Sequence, residues 1–156
     1  GRTWGLQIIR KHRLAERLLV DILNLDWKTA HLEACQLEHG LSDLVIGQIE
    51  KILGEKAIVC PHGSPIPSAA GKVVSMSYKK LSSISKPCKV IIKQVRCGNL
   101  DLLEKLGNFQ LYPETKIIIG TIDPKKGLFK VHSNQSNQTI LISFSEASDI
   151  FIELLN

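Results

Sequence analysis

Six side chains that bind transition metals well occur close together in the first part of the sequence. They comprise three imidazoles, two carboxylates and one thiol, namely His12, Glu16, His31, Cys35, Glu38 and His39. Imidazole, carboxylate and thiolate are the usual protein ligands of divalent first-row metals. Taken singly, a buried histidine is more often a hydrogen-bonded core residue than a ligand. The six together, with no lysine or arginine on the same stripe of the second helix, predict a metal site.

The spacing of these residues predicts two ligand-bearing helix faces. His12 and Glu16 are four residues apart, which places them on one face of a helix. On the next predicted helix, Cys35, Glu38 and His39 follow four, seven and eight residues after His31. At about 100° per residue, these four side chains fall within roughly 100° of one another around the helix axis. We therefore expect each of the two helices to carry its metal-capable side chains on one face.

Hydrophobic periodicity predicts three helices around these ligands. Apolar residues recur mostly three to five positions apart from residue 6 to residue 23, which is typical of a helix with one buried face. Asp26 is the expected N-cap of a second helix over 27–40, and Ser42 or Asp43 that of a third helix ending at Gly54. Residues 1–67 are thus predicted to form a helical domain, and the proline-rich segment 60–67 to lie outside helices and strands.

The last third of the chain has the pattern of short β-strands. The predicted strands are 89–95, 115–122, 128–131, 139–143 and 150–154, with a short helix at about 100–106. Residues 68–85, rich in Ser, Ala, Gly and Lys, are predicted to be an interdomain linker. The overall prediction is an α+β chain, with a helical domain over 1–67 and a small, strongly bent antiparallel barrel over 86–156.

Composition and charge exclude several classes of protein. No apolar run approaches the roughly 20 residues needed to cross a bilayer. Four cysteines at irregular spacings predict reduced thiols and a cytoplasmic protein rather than a disulfide framework. The net charge is +5, and the excess of basic residues lies beyond residue 63. The basic run from Lys72 to Arg96 is predicted to be a solvated linker, although it could also contact phosphates.

Several motifs resemble the diphtheria-toxin-repressor family of iron- and manganese-dependent regulators. The specific ones lie in residues 1–67, and they are Gly1-Arg-Thr, Arg10-Lys-His-Arg-Leu-Ala-Glu-Arg-Leu-Leu19, His31-Leu-Glu-Ala-Cys-Gln-Leu-Glu-His39, Leu41-Ser-Asp43 and Cys60-Pro-His-Gly-Ser-Pro-Ile-Pro67. Residues 86–156 resemble the family's SH3-like, FeoA-type barrel, chiefly through Leu106-Gly107 and Leu111-Tyr-Pro-Glu114. Gly1-Arg-Thr matches the end of the family's winged helix-turn-helix, which we expect to be absent from this chain.

The resemblance implies two metal sites. In the family pattern, His12, Glu16 and His31 match the ancillary site, and Cys35, Glu38 and His39 match the primary, regulatory site. A methionine near the start of the full-length family members completes the primary site. Met76 lies in the predicted linker and is no substitute, so the primary site is expected to be incomplete here.

The resemblance also implies an anion site and a ligand from the barrel. Arg13 and Ser64 match positions that hold an anion beside the ancillary metal. In iron-type members the barrel contributes a glutamate and a glutamine to that metal. Gly98 replaces the glutamate here, which leaves Asp101 as the candidate oxygen ligand of this domain.

The implied function is the metal-sensing and dimerisation module of a cytoplasmic transcriptional repressor. Fe(II) is favoured over Mn(II) in the cell, because the Cys35 thiolate suits a softer cation, and Zn(II), Ni(II) or Co(II) should bind in vitro. The expected partners are a second copy of the chain and operator DNA, the latter only through the missing N-terminal domain. No membrane partner is expected.

Two other functions remain open at the level of the sequence. One is a metal-dependent hydrolase or another enzyme, using the metal as a Lewis acid or Cys35 and His39 as nucleophile and base. No glycine-rich oxyanion or phosphate loop lies near these residues, so the prediction is that the chain is not an enzyme. The other is a metal-independent interaction module, in which substitution of His12 and His31 would change nothing.

Overall fold

The computed structural model describes residues 2–156, so Gly1 of the Gly1-Arg-Thr motif lies outside the described residues. The chain divides into two compact units, Gly1–Met76 and Ser77–Asn156. The first unit is helical and the second is built on a six-stranded antiparallel sheet. The predicted α+β fold, with helices preceding a small SH3-like barrel, is therefore confirmed.

The helical unit contains three helices. They are α1 (Arg2–Arg17), α2 (Trp27–Leu37) and α3 (Asp43–Leu53). The single helix predicted over 6–23 is interrupted, because α1 continues into a wider π-helical turn at Leu18–Ile22. The chain then leaves the helix at Asn24, whose φ of 56° lies in the left-handed region that asparagine tolerates.

Capping residues fix the start of the second and third helices as predicted. The Asp26 carboxylate accepts hydrogen bonds from the Thr29 backbone N–H (3.0 Å) and hydroxyl (2.6 Å), which also lower the pKa of Asp26. The Ser42 hydroxyl accepts a hydrogen bond from Val45 N–H. Gly54 ends α3 with a φ of 56°, a conformation that glycine adopts without strain. The Asp26 cap thus fixes where the ligand-bearing helix α2 begins.

Replacing Asp26 by alanine should destabilise the helical unit by about 1 kcal/mol, the usual cost of losing an N-cap acceptor. Asp26→Asn is the matched control, because asparagine caps without a charge. Since the folded-state pKa of Asp26 is lowered, its charge stabilises the fold above pH 3.8 and the contribution is lost as pH falls through the folded pKa. Urea denaturation should thus show the parent losing stability relative to Asp26→Asn on acidification, and a constant difference would contradict this assignment.

Small residues bring α1 and α2 close together. Ala15 of α1 and Ala30 and Ala34 of α2 are fully buried in one cluster, which Leu19 completes. Alanines at a helix crossing let the backbones approach closely, so longer side chains beside them meet across the interface. A second cluster joins α1 to α3 and to the segment that follows, and it consists of Leu14, Ile46, Ile49, Leu53, Cys60 and Ile66.

The second unit has strands β1 (Lys79–Lys80), β2 (Cys88–Val95), β3 (Lys116–Asp123), β4 (Leu128–Ser133), β5 (Gln138–Ser143) and β6 (Ile150–Leu154), and helices α4 (Leu100–Asn108) and α5 (Phe144–Ala147). The strand order is β1-β6-β2-β3-β4-β5, and all pairs are antiparallel. Register shifts between Ile92 and Gln94 and between Ile119 and Thr121 bend the sheet. The buried core of this unit includes Leu102, Leu103 and Leu106 of α4, together with Phe129 and the buried isoleucines of the sheet.

The sheet has one strand more than the five that were predicted. Strand β1 consists of two exposed lysines, and it is recognised as a strand through its pairing with β6. Leu81, directly after β1, is fully buried. The end of the segment predicted as a linker over 68–85 is thus built into the second unit.

Candidate metal centre

The carboxylate of Glu16 lies at the centre of the ligand cluster in the helical unit. The side chain is fully buried, and its Oε2 lies 3.1 Å from His31 Nδ1 and 3.2 Å from His62 Nδ1. Its other oxygen, Oε1, lies 3.3 Å from His12 Nε2 and makes no hydrogen bond. Helix α1 supplies Glu16 and His12, and α2 supplies His31 across the alanine-lined crossing.

His12 connects the two predicted ligand sets. Its Nε2 lies 3.2 Å from His31 Nδ1, and its Nδ1 lies 2.6 Å from Glu38 Oε2. The other oxygen of Glu38 lies 3.2 Å from His39 Nε2. A carboxylate on the outer nitrogen of a histidine fixes the ring and raises its basicity, which is the usual arrangement behind a metal-bound imidazole.

The electrostatics of the cluster match those of a cation site. Burial opposes the charge of Glu16, but the close imidazoles of His12, His31 and His62 outweigh it and hold the pKa of Glu16 far below its usual range. Burial likewise opposes the charge of His12, yet the neighbouring carboxylates of Glu16 and Glu38 raise the pKa of His12 above 6.5. A buried carboxylate whose charged form is favoured thus lies among imidazoles, which are metal ligands in their neutral form.

The cysteine and histidine assigned to the primary site are more open to solvent. Cys35 is exposed, and its Sγ lies 3.9 Å from His31 Nε2. The His39 side chain is 62% exposed, whereas those of His12 and His31 are 13% and 18% exposed. Cys35 thus contacts the cluster at His31, whereas His39 is linked to it by way of Glu38, which contacts His12.

Two further ligand-type residues, Cys60 and His62, lie at the cluster and were not assigned from the sequence. Both are buried, and Cys60 Sγ lies 3.9 Å from His62 Nδ1. One donor atom from each of Glu16, Cys60 and His62 falls within 4.8 Å of the others, as holds also for His12, His31 and Cys35. The His62 ring packs edge-on against Trp27 with 4.7 Å between centroids. The signal available in the sequence was a cysteine and a histidine two residues apart in a proline-rich segment.

Three arginines of α1 hold this segment in place. Arg10 donates to Pro67 O (3.1 Å), Arg13 to Pro65 O and Arg17 to Val59 O (2.8 Å). Arg10 also forms an ion pair with Glu50 at 2.7 Å. Residues 59–67 carry little regular structure, so these bonds supply much of what positions Cys60 and His62 against α1.

The predicted anion site remains a prediction. The Arg13 guanidinium binds the Pro65 carbonyl, one residue from the buried Ser64. Asp101, the candidate ligand from the second unit, is an exposed residue in the first turn of α4. Its role in metal binding is likewise untested.

The residues present fit a divalent transition metal. Nitrogen, oxygen and sulfur ligands on one ion are held at about 2.0–2.3 Å, which places neighbouring ligand atoms roughly 3–4 Å apart. The distances around Glu16 fall in this range. Oε1 of Glu16 is moreover a buried oxygen without a hydrogen-bond donor, which a cation would satisfy.

Comparison with known proteins gives consistent matches for both units. Residues 1–68 match the metal-binding and dimerisation domain of iron-dependent repressors, and residues 79–154 match the FeoA domain. The iron-dependent repressor IdeR of Mycobacterium leprae is 33% identical over 133 residues, which are 78% of this chain and 57% of that protein. IdeR of Mycobacterium tuberculosis strain H37Rv is 31% identical over 152 residues, 90% of this chain and 65% of that protein.

A solved structure resembles the fold closely. A manganese-dependent transcriptional repressor in complex with manganese superposes with a TM-score of 0.89 at 26% identity, covering 99% of this chain and 73% of that one. The chain spans less than two thirds of the length of the two curated relatives. Within the described residues, no helix combines the length and apolar character needed to cross a membrane.

Proposed function

Because the chain belongs to the iron-dependent repressor family, we propose that it is the metal-sensing and dimerisation part of a metal-dependent transcriptional repressor. The observation that carries this proposal is the fully buried Glu16 carboxylate, which three imidazoles contact within 3.3 Å. A protein that did not bind a cation would gain little from burying an ionised group beside so many titratable rings.

The proposed ligands come from three separate segments of the helical unit. His12 and Glu16 lie on α1, His31 and Cys35 on α2, and Cys60 and His62 on the segment that the arginines hold. A bound metal supplies a positive charge that these side chains share. The chain's own residues then hold α1, α2 and this segment in one arrangement, and Glu38 orients the His12 ring from behind.

The donor set favours particular metals. Imidazole and carboxylate serve both Fe(II) and Mn(II), whereas the thiols of Cys35 and Cys60 shift the preference toward the softer Fe(II). We propose Fe(II) as the metal in the cell, with Mn(II) as the second candidate. Zn(II), Ni(II) and Co(II) should bind at least as tightly in vitro. The affinity of a given site generally rises from Mn(II) through Fe(II) and Co(II) to Ni(II), and Zn(II) also binds tightly, whichever metal the protein uses in the cell.

The proposed partner is a second copy of the chain. The helical unit exposes several large apolar side chains, and they include Trp4, Ile22, Leu23, Leu32, Leu44, Val45, Ile52 and Ile58. A small domain that leaves so much apolar surface in water is typically completed by an identical subunit. We propose that an N-terminal domain of the full repressor binds operator DNA and that the repressor acts in the cytoplasm. We do not propose an enzymatic activity.

Metal binding should stabilise the chain measurably. Titration of the chelator-treated protein with Mn(II), or anaerobically with Fe(II), should raise its thermal midpoint, because ions bind the folded ligand cluster and not the unfolded chain. At a metal concentration 100 times the dissociation constant the expected stabilisation is about 2.7 kcal/mol. Mg(II) is the control, because it prefers oxygen ligands and should change little. Equal midpoints with and without Mn(II) and Fe(II) would contradict the proposed function.

A further inference from the structure

The two oxygens of Glu16 face different donor atoms. Oε1 lies nearest to His12 Nε2, at 3.3 Å, and makes no hydrogen bond. Oε2 lies 3.2 Å from His62 Nδ1, on the segment that also carries Cys60. His31 Nδ1 lies close to both His12 Nε2, at 3.2 Å, and Glu16 Oε2, at 3.1 Å. One buried carboxylate therefore lies between two sets of possible ligands.

Each set by itself has the spacing of ligands on a single ion. In the first set, His12 Nε2 lies 3.2 Å from His31 Nδ1 and 3.3 Å from Glu16 Oε1, as expected for atoms bound at about 2.0–2.2 Å to one metal. In the second set, the 3.9 Å between Cys60 Sγ and His62 Nδ1 fits the longer metal–sulfur bond of about 2.3 Å.

The sets do not merge easily into one. The ring centroids of His31 and His62 are 6.3 Å apart, whereas those of His12 and His31 are 4.9 Å apart. The imidazoles of His31 and His62 thus approach Oε2 from separate positions. Three imidazoles, the thiolate and Glu16 would also supply five ligands, one more than the four that a tetrahedral ion such as Zn(II) takes.

The charges suit two ions better than one. On metal binding, the carboxylate of Glu16 and the thiolate that Cys60 becomes each supply a negative charge inside the cluster. Glu38 supplies another behind His12, at 2.6 Å from the ring. Two divalent ions therefore meet an anionic environment rather than a purely neutral one.

We infer that Glu16 is a bridging carboxylate that binds one metal ion with each of its oxygens. The first ion takes His12 and His31, and the second takes Cys60 and His62. This inference rests on the proposed function, since it requires that the cluster binds metal. In known two-metal sites the ions lie about 3.5–4 Å apart, close enough for their unpaired electrons to interact through the bridge.

Cobalt(II) provides the test, because it accepts imidazole, carboxylate and thiolate and has unpaired electrons. Equilibrium dialysis counts the bound cobalt per chain, and electron paramagnetic resonance counts the uncoupled spins. For the parent protein we expect fewer uncoupled spins than bound cobalt ions. Parent protein whose spin count equals its bound cobalt would overturn the bridge, and this measurement needs no variant.

Variants assign the ions to their ligands. Cys60→Ser should remove one cobalt ion per chain. The first ion then has no neighbouring ion to couple with, so the number of uncoupled spins should equal the number of bound cobalt ions. Glu16→Gln keeps the shape of the side chain but should weaken the binding of both ions. At the same cobalt concentration, the number of bound cobalt ions per chain should then fall by two. Cys88→Ser is the matched control, because it changes a partly buried thiol of the second unit and should alter neither count.

The possible outcomes separate this inference from the proposed function. If Glu16→Gln and Cys60→Ser each remove the same single ion, one metal binds at a time and the bridge is wrong, although the proposed metal site stands. If the parent protein binds no cobalt at all, both the inference and the proposed function fail.

Discussion

Replacing His31 by alanine is expected to remove the metal ion that His12, Glu16 and His31 hold, with a loss of affinity of about a hundredfold or more. Loss of an outer-sphere partner alone typically costs 10–100-fold, and His31 is a direct ligand candidate. Its Nδ1 lies 3.2 Å from His12 Nε2 and 3.1 Å from Glu16 Oε2, so no other side chain replaces it at that point.

The loss of metal in His31→Ala is to be compared with the loss in Cys35→Ala. Because Cys35 is exposed and approaches His31 through the opposite ring nitrogen, its loss should leave this ion bound, with a smaller change in affinity. His132→Ala controls for the loss of an imidazole as such, since His132 lies on β4 of the second unit. Metal analysis after dialysis at fixed Mn(II) provides the measurement. A greater loss of metal in Cys35→Ala than in His31→Ala would refute the assignment of the tighter site.

A charged residue at Leu44 should convert the proposed dimer into monomers of 17.3 kDa. Leu44 and Ile52 lie two turns apart on α3 and are 75% and 65% exposed in the single chain. Burying an aspartate there would cost several kcal/mol, which corresponds to a dissociation constant raised by a factor of at least a hundred.

Sedimentation of the parent, Leu44→Asp and Ile52→Asp at micromolar concentration measures this effect. Leu141→Asp is the matched control, because Leu141 is 53% exposed on β5 and lies outside residues 1–68, which match the family's dimerisation domain. A parent protein that sediments only as a monomer would remove the basis of the proposal. If Leu44→Asp and Ile52→Asp both form dimers with the dissociation constant of the parent, a surface other than this face of α3 forms the interface.

The helical ligands could be predicted because their positions depend on local geometry. His12 and Glu16 share a helix face at a spacing of four, and the caps at Asp26 and Ser42 set where the next helices begin. Periodicity alone therefore indicated which side chains share a helix face, whereas the pairing of the two helices was implied by the family resemblance. The strand positions of the second unit were predictable for a similar reason, since their β-branched runs are bounded by turn residues.

The remaining features depend on contacts between distant parts of the chain. His62 reaches the cluster because its segment folds back onto α1 and because Trp27 packs against its ring, and neither contact has a local signal. Strand β1 exists only through its pairing with β6, since two lysines have no strand preference. The π-helical turn after Arg17 likewise has no recognisable pattern in the sequence.

The arginine contacts of α1 have a consequence for how freely this protein can evolve. Arg17, Arg13 and Arg10 bind the backbone carbonyls of Val59, Pro65 and Pro67, in that order along the segment. Every residue type offers the same carbonyl, so the helix holds this segment without selecting the side chains at those three positions. Mutation at any of the three arginines should therefore be tolerated poorly, whereas Pro65 and Pro67 are constrained through the backbone path that their rings favour rather than through these bonds.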